Sequence, residues 1–441
     1  MTPKRPAGVL ENMAKRFRFY LTRLFFRVLG IDLERRYQEV ATLWSLGEHD
    51  RRRMLDKQLR DNKPLNAEGQ PIDSLEGLRT APVMGKKSLG KPSTGRKAKG
   101  SFSRHTAGTT GDPTHVELDT VELARMLGVR EYCFRHYGVR LGMREARLWG
   151  RPNSGIKNRV RDFVLNRRVF HPVGDHATDA VIAMLKWKPD YVYGYASLIL
   201  EAARILKREK IRPTGLSLVV CTAETVLPSQ KRFIEESFNC KVAEEYGATE
   251  FDIVAFECRS GHRHLVNPWL VVETNDLQEL LITDVARASQ DVARYRIGDI
   301  GEVSGAGCQD LGDNLALMSL EGRALNRFAY GEGMKKFHAV EFAKIMDAYM
   351  AAENRLYSFS IEQHEVGIVA VTTEPKPDDQ QHLCEFVERQ LFKRCSVSMT
   401  VEWRDTSLKP RAIGKNGYFS QYLNAEGLDC STAFHSSGVV S

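Results

Sequence analysis

Residues 216–250 read LSLVVCTAETVLPSQKRFIEESFNCKVAEEYGATE. An apolar run, Leu216–Cys221, ends on a turn holding Ala223 and Glu224. The stretch from Pro228 to Phe238 then spaces its apolar residues as a helix does, and a second strand-like run opens at Lys241–Glu244. Strand, helix and strand in so short a span predict parallel strands joined by a crossover helix. The same alternation runs upstream, with a helix expected near Thr178–Trp187, a strand near Tyr191–Tyr193 and a helix over Leu198–Lys207. The expected class is therefore α/β, with a large N-terminal domain of mixed or parallel sheets and crossover helices. Beyond Gly322 the rhythm changes to helix Ala339–Tyr349, strands Leu356–Glu362 and Val366–Thr373, helix Gln380–Phe392 and strand Ser398–Trp403. That order predicts a small C-terminal α+β domain.

The chain has 441 residues, 42% hydrophobic and 27% charged, a composition that builds a large core and excludes disordered, collagenous and disulfide-scaffold classes. No apolar run approaches the roughly 18 residues a membrane span needs. The net charge of +8 is uneven: residues 1–110 carry 23 Lys/Arg against 11 Asp/Glu, the remainder 41 against 45. The main body is thus not basic, no nucleic-acid recognition module is visible, and no nucleic-acid partner is expected. Eight dispersed cysteines, with no signal-peptide pattern at the N-terminus, point to the reducing cytoplasm.

Residues 13–29 place Phe17, Tyr20, Leu21, Leu24, Phe25, Val28 and Leu29 at helical spacing, with Lys15, Arg16, Arg18, Arg23 and Arg27 mostly on the other side. The favoured expectation is a helix docked by that stripe on its own domain. The alternative is a peripheral anchor on an anionic membrane surface, at the inner face, and a homodimer is left open. Gly85–Gly100, rich in Gly, Ser and Lys, reads as a basic loop. It leads into Thr106-Ala-Gly108-Thr109-Thr110-Gly111-Asp-Pro-Thr114, where glycines let backbone amides approach an anion and threonine hydroxyls add donors. Taken alone, such a segment is more often a plain turn.

Four further segments follow in order: Ala223-Glu224 after an apolar strand, YGATE (Tyr246 to Glu250), YRIGD (Tyr295 to Asp299) and Glu321-Gly322-Arg323, with PRAIGK (Pro410 to Lys415) near the end. Over roughly residues 75–420 this ordered set resembles the adenylate-forming superfamily of acyl-CoA synthetases. The resemblance is strongest to the phenylacetate–CoA ligase branch and to the related adenylate-forming proteins of capsular-polysaccharide gene clusters.

The resemblance implies a division into residues 1–75 (basic helical region), 76–324 (ATP- and acyl-binding core) and 325–441 (small mobile lid domain and tail). It assigns Thr106, Gly108, Thr109, Thr110 and Gly111 to the ATP phosphates, Ala223 and Glu224 to the adenine pocket, and Tyr246, beside Gly247, to stacking on adenine. Thr249 would donate to the α-phosphate and Glu250 would ligate Mg²⁺. Asp299 would accept from the ribose hydroxyls, Arg323 would donate to ribose or phosphate, and Lys415 would swing in during adenylation. Leu325 and Asn326 stand where relatives usually carry acidic hinge residues. Some relatives of that branch also hold a structural zinc in the region matching Cys258, His262, His264 and Cys308, so the resemblance offers a Zn²⁺ site on Cys258, His264 and Cys308, with Asp310 a candidate fourth ligand; the favoured alternative is that these are reduced cysteines buried without metal.

The function so implied is ATP-dependent activation of a small carboxylic acid, with transfer to a thiol, CoA being the expected acceptor. One alternative transfers acyl or adenylyl to a hydroxyl or amine in polysaccharide or coenzyme biosynthesis. Another is a catalytically silent nucleotide-binding scaffold.

Overall fold

The structure, a computed structural model, describes residues 7–89, 102–105, 115–150, 155–323, 328–408 and 418–423. The chain divides into two compact units at residues 324/325.

The first unit opens with helices α1 (Ala7–Val28), α2 (Leu33–Trp44), α3 (Glu48–Asn62), α4 (Leu75–Thr80) and α5 (Thr120–His136). Their starts follow from capping residues. The Asp32 carboxylate accepts from the Glu34 and Arg35 amides, and Asp119 with Glu122 forms a reciprocal capping box at α5. Val40, Leu59 and Leu78 enter the same core as Val129, Phe134, Tyr191, Leu218 and Phe256. The basic N-terminal helices are therefore built into this unit. A hairpin, β1 (Phe102–His105) and β2 (His115–Leu118), brackets the Gly/Thr segment.

Eleven strands then form one sheet: β3 (Glu145–Leu148), β4 (Arg167–Phe170), β5 (Tyr191–Tyr195), β6 (Leu218–Thr222), β7 (Val242–Ala248), β8 (Asp252–Glu257), β9 (Arg263–Leu265), β10 (Leu270–Thr274), β11 (Glu279–Asp284), β12 (Tyr295–Gly305) and β13 (Leu315–Arg323). Their spatial order is β10-β11-β12-β13-β9-β8-β7-β6-β5-β3-β4. Strands β3 to β7 pair in parallel and alternate with helices α6 (Ile156–Val164), α7 (Ala177–Lys186), α8 (Ala196–Arg208) and α9 (Pro228–Phe238); the sequence predicts this from α7 onward, while β3, α6 and β4 extend the same pattern upstream. Helix α9 begins with Pro228 in its first turn, where no amide donor is needed, and stops at Asn239, whose φ of 53° is left-handed. From β7 onward every pairing is antiparallel. Strand β7 is thus where the sheet changes character.

Helix α1 corrects one expectation. It docks, but not by the stripe singled out from the sequence. Thr22 and Phe26 are buried, the Thr22 hydroxyl donates to the Val164 carbonyl at 2.7 Å, and Arg23 pairs with Glu131 at 2.9 Å. Phe17, Tyr20, Leu24, Phe25, Val28 and Leu29 remain exposed. Polar anchors won over the apolar stripe because Glu131 is a fully buried carboxylate that needs cationic partners. Among the described residues no helix is long and apolar enough to cross a membrane.

The second unit carries a hairpin, β14 (Phe328–Tyr330) with β15 (Lys336–His338), helices α10 (Val340–Ala352) and α11 (Gln380–Cys395), and strands β16 (Ser358–Glu365), β17 (Ile368–Glu374), β18 (Thr400–Trp403) and β19 (Phe419–Gln421). The sheet order is β18-β17-β16-β19, with a central antiparallel pair and a parallel strand on each side. Leu383, Val387 and Leu391 of α11 supply its buried face.

Candidate functional site

In open sheets of this kind ligands bind beyond the carboxyl ends of the strands, where the winding changes. Strands β6 and β7 present that edge here. Strand β6 is buried at all five positions and runs into Ala223, whose φ of 66° is uncommon for a residue with a side chain. Next to it the Glu224 carboxylate accepts from the amide and hydroxyl of Ser197, at 2.6 and 3.1 Å, and so caps the start of α8. Sequence reasoning had not connected Ser197 with this turn.

On β7, Gly247 sits at a bulge opposite β8. A Cβ there would lie 1.9 Å from the Asp252 carbonyl oxygen, so only glycine fits. The bulge re-aims Tyr246, whose ring is buried and whose hydroxyl donates to Asp299 Oδ2 at 2.9 Å. Tyr295, four residues before Asp299 on β12, donates to Glu250 Oε1 at 3.2 Å. The motifs YGATE and YRIGD thus exchange tyrosine-to-carboxylate bonds in both directions. Tyr295 was missed in the sequence although it opens its motif; the signal was its spacing, since residues four apart share a strand face.

Asp299 faces Arg323 in the β12–β13 register, and Thr249 and Glu250 lie in the turn between β7 and β8. Glu250 is buried, and among the described residues no lysine or arginine pairs with its carboxylate. A buried carboxylate bonded to a neutral hydroxyl is an environment that a divalent cation would complete. Beneath the site Arg130 bridges Glu245 and Asp252, both at 3.0 Å. Burial raises the Glu245 carboxyl above its ordinary range, opposed by Arg130. Arg104 of β1 lies 4.0 Å from Asp252, which ties the strand entering the Gly/Thr segment to the YGATE turn. Thr106, Gly108, Thr109, Thr110, Gly111 and Lys415 themselves lie outside the described residues.

A second cluster gathers Cys258, His262, His264 and Cys308, with ligand atoms all within 4.8 Å of one another. His264 Nδ1 lies 2.6 Å from the Asp313 carbonyl oxygen, which fixes the tautomer that keeps a lone pair on Nε2. That Nε2 and His262 Nδ1 are both buried with no hydrogen-bond partner. Two orphaned imidazole nitrogens beside two thiols form a Cys₂His₂ donor set that fits zinc. Burial lowers the His264 pKa, favouring the neutral ring. Asp310, the candidate fourth ligand, instead faces His136 Nε2 at 3.5 Å; His262 takes its place because the tight turn from Cys258 to His262 folds that ring back.

The parallel half-sheet, the coiled antiparallel half and the smaller α+β unit together make the fold of the adenylate-forming acid–CoA ligases. Two comparisons place it more closely. The chain is similar to 2-hydroxyisobutyryl-CoA ligase in its postadenylation state with 2-HIB-AMP, with a TM-score of 0.63, 15% identity and 89% of each chain covered. An open conformation of that ligase with 2-HIB-AMP and CoA gives a TM-score of 0.53 over 84% of this chain and 90% of that one, at 16% identity. In sequence, Protein CapK of Staphylococcus aureus is 24% identical over 231 residues, 49% of this chain and 51% of that protein. The match therefore spans about half of that relative's length. No protein-family model matches the chain.

Proposed function

We propose that this chain is an AMP-forming acid–thiol ligase. In the first step a small-molecule carboxylate attacks the α-phosphorus of ATP, forming acyl-AMP and releasing pyrophosphate. In the second, a thiol attacks the acyl carbon, forming the thioester and releasing AMP. AMP leaves far more readily than hydroxide, which is why the acid is adenylated first. The observation that supports the reading best is the crossed pairing of Tyr246 with Asp299 and of Tyr295 with Glu250, which holds a ribose acceptor and a cation ligand in one frame. Thr249 and Arg323 would serve the phosphates from the same edge, and Lys415 would neutralise charge during adenylation. Mg²⁺, held by Glu250, would shield the phosphate oxygens. CoA is the acceptor that the solved relatives favour, because the open form of 2-hydroxyisobutyryl-CoA ligase holds 2-HIB-AMP and CoA together.

The test is exchange of labelled pyrophosphate into ATP, with Mg²⁺ and a panel of acids but no thiol. Acid-dependent exchange is expected, and thioester should appear when CoA is added. Exchange without thioester favours the second reading, transfer to a hydroxyl or amine, for which Leu325 and Asn326 at the usual acidic hinge positions speak. ATP binding without exchange favours the silent scaffold. We also propose that Cys258, His262, His264 and Cys308 hold a structural zinc. The described cysteines are all unpaired, which suits a reducing cytoplasm.

A further inference from the structure

Helix α1 is fastened along one flank and leaves the other in water. Phe17, Tyr20, Leu24 and Val28, spaced as one helical stripe, are 67%, 60%, 58% and 77% exposed. Its neighbour α6 does the same with Ile156, Val160 and Phe163, and buries none of its residues. The two helices are pinned together where they meet. The Arg18 guanidinium lies 3.7 Å over the Phe163 ring and donates to the Phe163 carbonyl. Between α1 and the start of α2 runs a groove of about 520 Å³, lined by Phe17, Tyr20, Leu24, Arg27, Ile31 and Leu33 among others. Soluble surfaces seldom leave this many large apolar side chains exposed on two adjoining helices unless something covers them.

The charges around the stripes say what covers them. Arg16 and Arg27 of α1 and Lys157 and Arg159 of α6 are exposed; Arg161 is exposed as well but shares Asp162 with Arg167. The acids nearby are already engaged: Asp32 caps α2, Glu34 pairs with Arg135 and Arg140, and Asp162 pairs with Arg167. A two-fold contact through this face would bring the cations of both copies into one interface with no free acid to offset them. An anionic lipid surface meets both features, taking the apolar stripes at the headgroup boundary and the basic side chains among the phosphates. We infer that α1 and α6 form a two-helix platform that seats this protein on anionic phospholipid membranes.

The experiment is co-sedimentation of the full chain with phosphatidylcholine vesicles, with and without phosphatidylglycerol, at low and raised salt, alongside sedimentation velocity without lipid. Binding at least about tenfold tighter to the anionic vesicles is expected, lost as salt screens the attraction. Removing three cations, Arg16→Ala, Arg27→Ala and Arg159→Ala together, should weaken it about a hundredfold, while the three Arg→Lys changes keep it. Phe17→Ser with Leu24→Ser and Val160→Ser should abolish binding while leaving thermal unfolding and pyrophosphate exchange unchanged, since all three side chains are exposed. Equal binding to neutral vesicles, no vesicle binding, or unaltered binding by the serine variant would each overturn the inference. So would a wild-type dimer that the serine variant dissociates, which would make the platform a contact between copies.

Discussion

The Tyr246 hydroxyl reaches Asp299 Oδ2 at 2.9 Å although three strands, β8, β9 and β13, stand between their own strands in the sheet. The sheet must therefore curl between β7 and β12 until those two strands approach, as the accumulated twist of a large sheet allows. Tyr295 and Glu250 close the same gap from the other side, and both tyrosine rings share one core cluster with Phe251, Leu280 and Ile282. A site assembled this way depends on the sheet's curvature more than on any single strand.

If Asp299 accepts from a nucleotide ribose, Asp299→Ala should weaken ATP binding by about 2 kcal/mol, the scale of hydrogen bonds to a charged group. Tyr246→Phe keeps the ring and loses only the hydroxyl that orients Asp299, so about 1 kcal/mol is expected. Titration calorimetry with ATP gives both values. Unchanged affinity in Asp299→Ala would remove Asp299 from the ribose role.

Gly247→Ala should cost more than either, because the new Cβ would meet the Asp252 carbonyl oxygen at 1.9 Å and backbone would have to move. We expect a loss of about 3 kcal/mol or more in urea unfolding, together with loss of nucleotide binding. A stable, binding-competent alanine variant would show that the β7 bulge is not needed.

Within the parallel half, β5 and β6 were legible because they are apolar on both faces and alternate with helices; β6 is buried at every position, and its run of Leu, Val and Cys says so directly. Strands β3 (Glu-Ala-Arg-Leu) and β4 (Arg-Arg-Val-Phe) carry charged residues and gave no such signal. The antiparallel half was less so. Strands such as β12, with Arg296 exposed and Ile300 buried, mix polar and apolar positions around two bulges, which breaks the simple period of two. Within the site, Glu224, Tyr246, Glu250 and Asp299 stood out through their ordered motifs. Ser197 did not, because its role comes from a contact that no local pattern encodes; His262 stood in the Cys/His cluster, but its place as a ligand ahead of Asp310 depends on how the turn after Cys258 folds. The α1 stripe misled for a similar reason: its hydrophobicity was plain, but which flank met the domain depended on Glu131, more than 100 residues away.

Glu34 supplies a pH prediction. Hydrogen bonds from Arg135, with help from Arg140 and Arg23 and against some burial, lower its carboxyl from 4.5 to about 2. A lowered folded-state pKa means this stabilisation is present above about pH 4.5 and is lost as pH falls toward 2. Because the side chain is half exposed, solvent screening holds the effect to about 1 kcal/mol or less. Glu34→Gln should therefore unfold at lower urea than wild type at pH 7, with the gap closing between pH 4.5 and 2 and shrinking in high salt. A gap that persists undiminished at pH 2 would show that packing, not charge, is responsible.

Lys415 is expected to act where negative charge develops, so Lys415→Ala should slow adenylation while ATP affinity changes little. By analogy with a lost preorganised donor, the cost is about 3 kcal/mol, roughly a hundredfold in pyrophosphate exchange. Presynthesised acyl-adenylate should restore thioester formation to near the wild-type rate, since that half-reaction bypasses the missing charge. Exchange within a few-fold of wild type would mean that the PRAIGK segment does not serve this step.

Zinc content separates the four-residue cluster from the alternative in which Asp310 is a ligand. Protein purified without added metal should contain about one zinc per chain, because a closed Cys₂His₂ set binds tightly enough to survive dialysis. Cys258→Ser and His262→Ala should each lose the metal and lower the unfolding temperature, since binding free energy is also folding free energy where the unfolded chain lacks the site. Asp310→Ala should keep it, because that carboxylate faces His136 rather than the cluster. Chelation of the wild type should reproduce the instability of His262→Ala, and chelator added to His262→Ala should do nothing further. A metal-free wild type of full stability would show that the orphaned nitrogens of His262 and His264 serve the apolar packing of β8 and β9 alone, and retention of zinc in His262→Ala but not in Asp310→Ala would reverse the assignment of the fourth ligand.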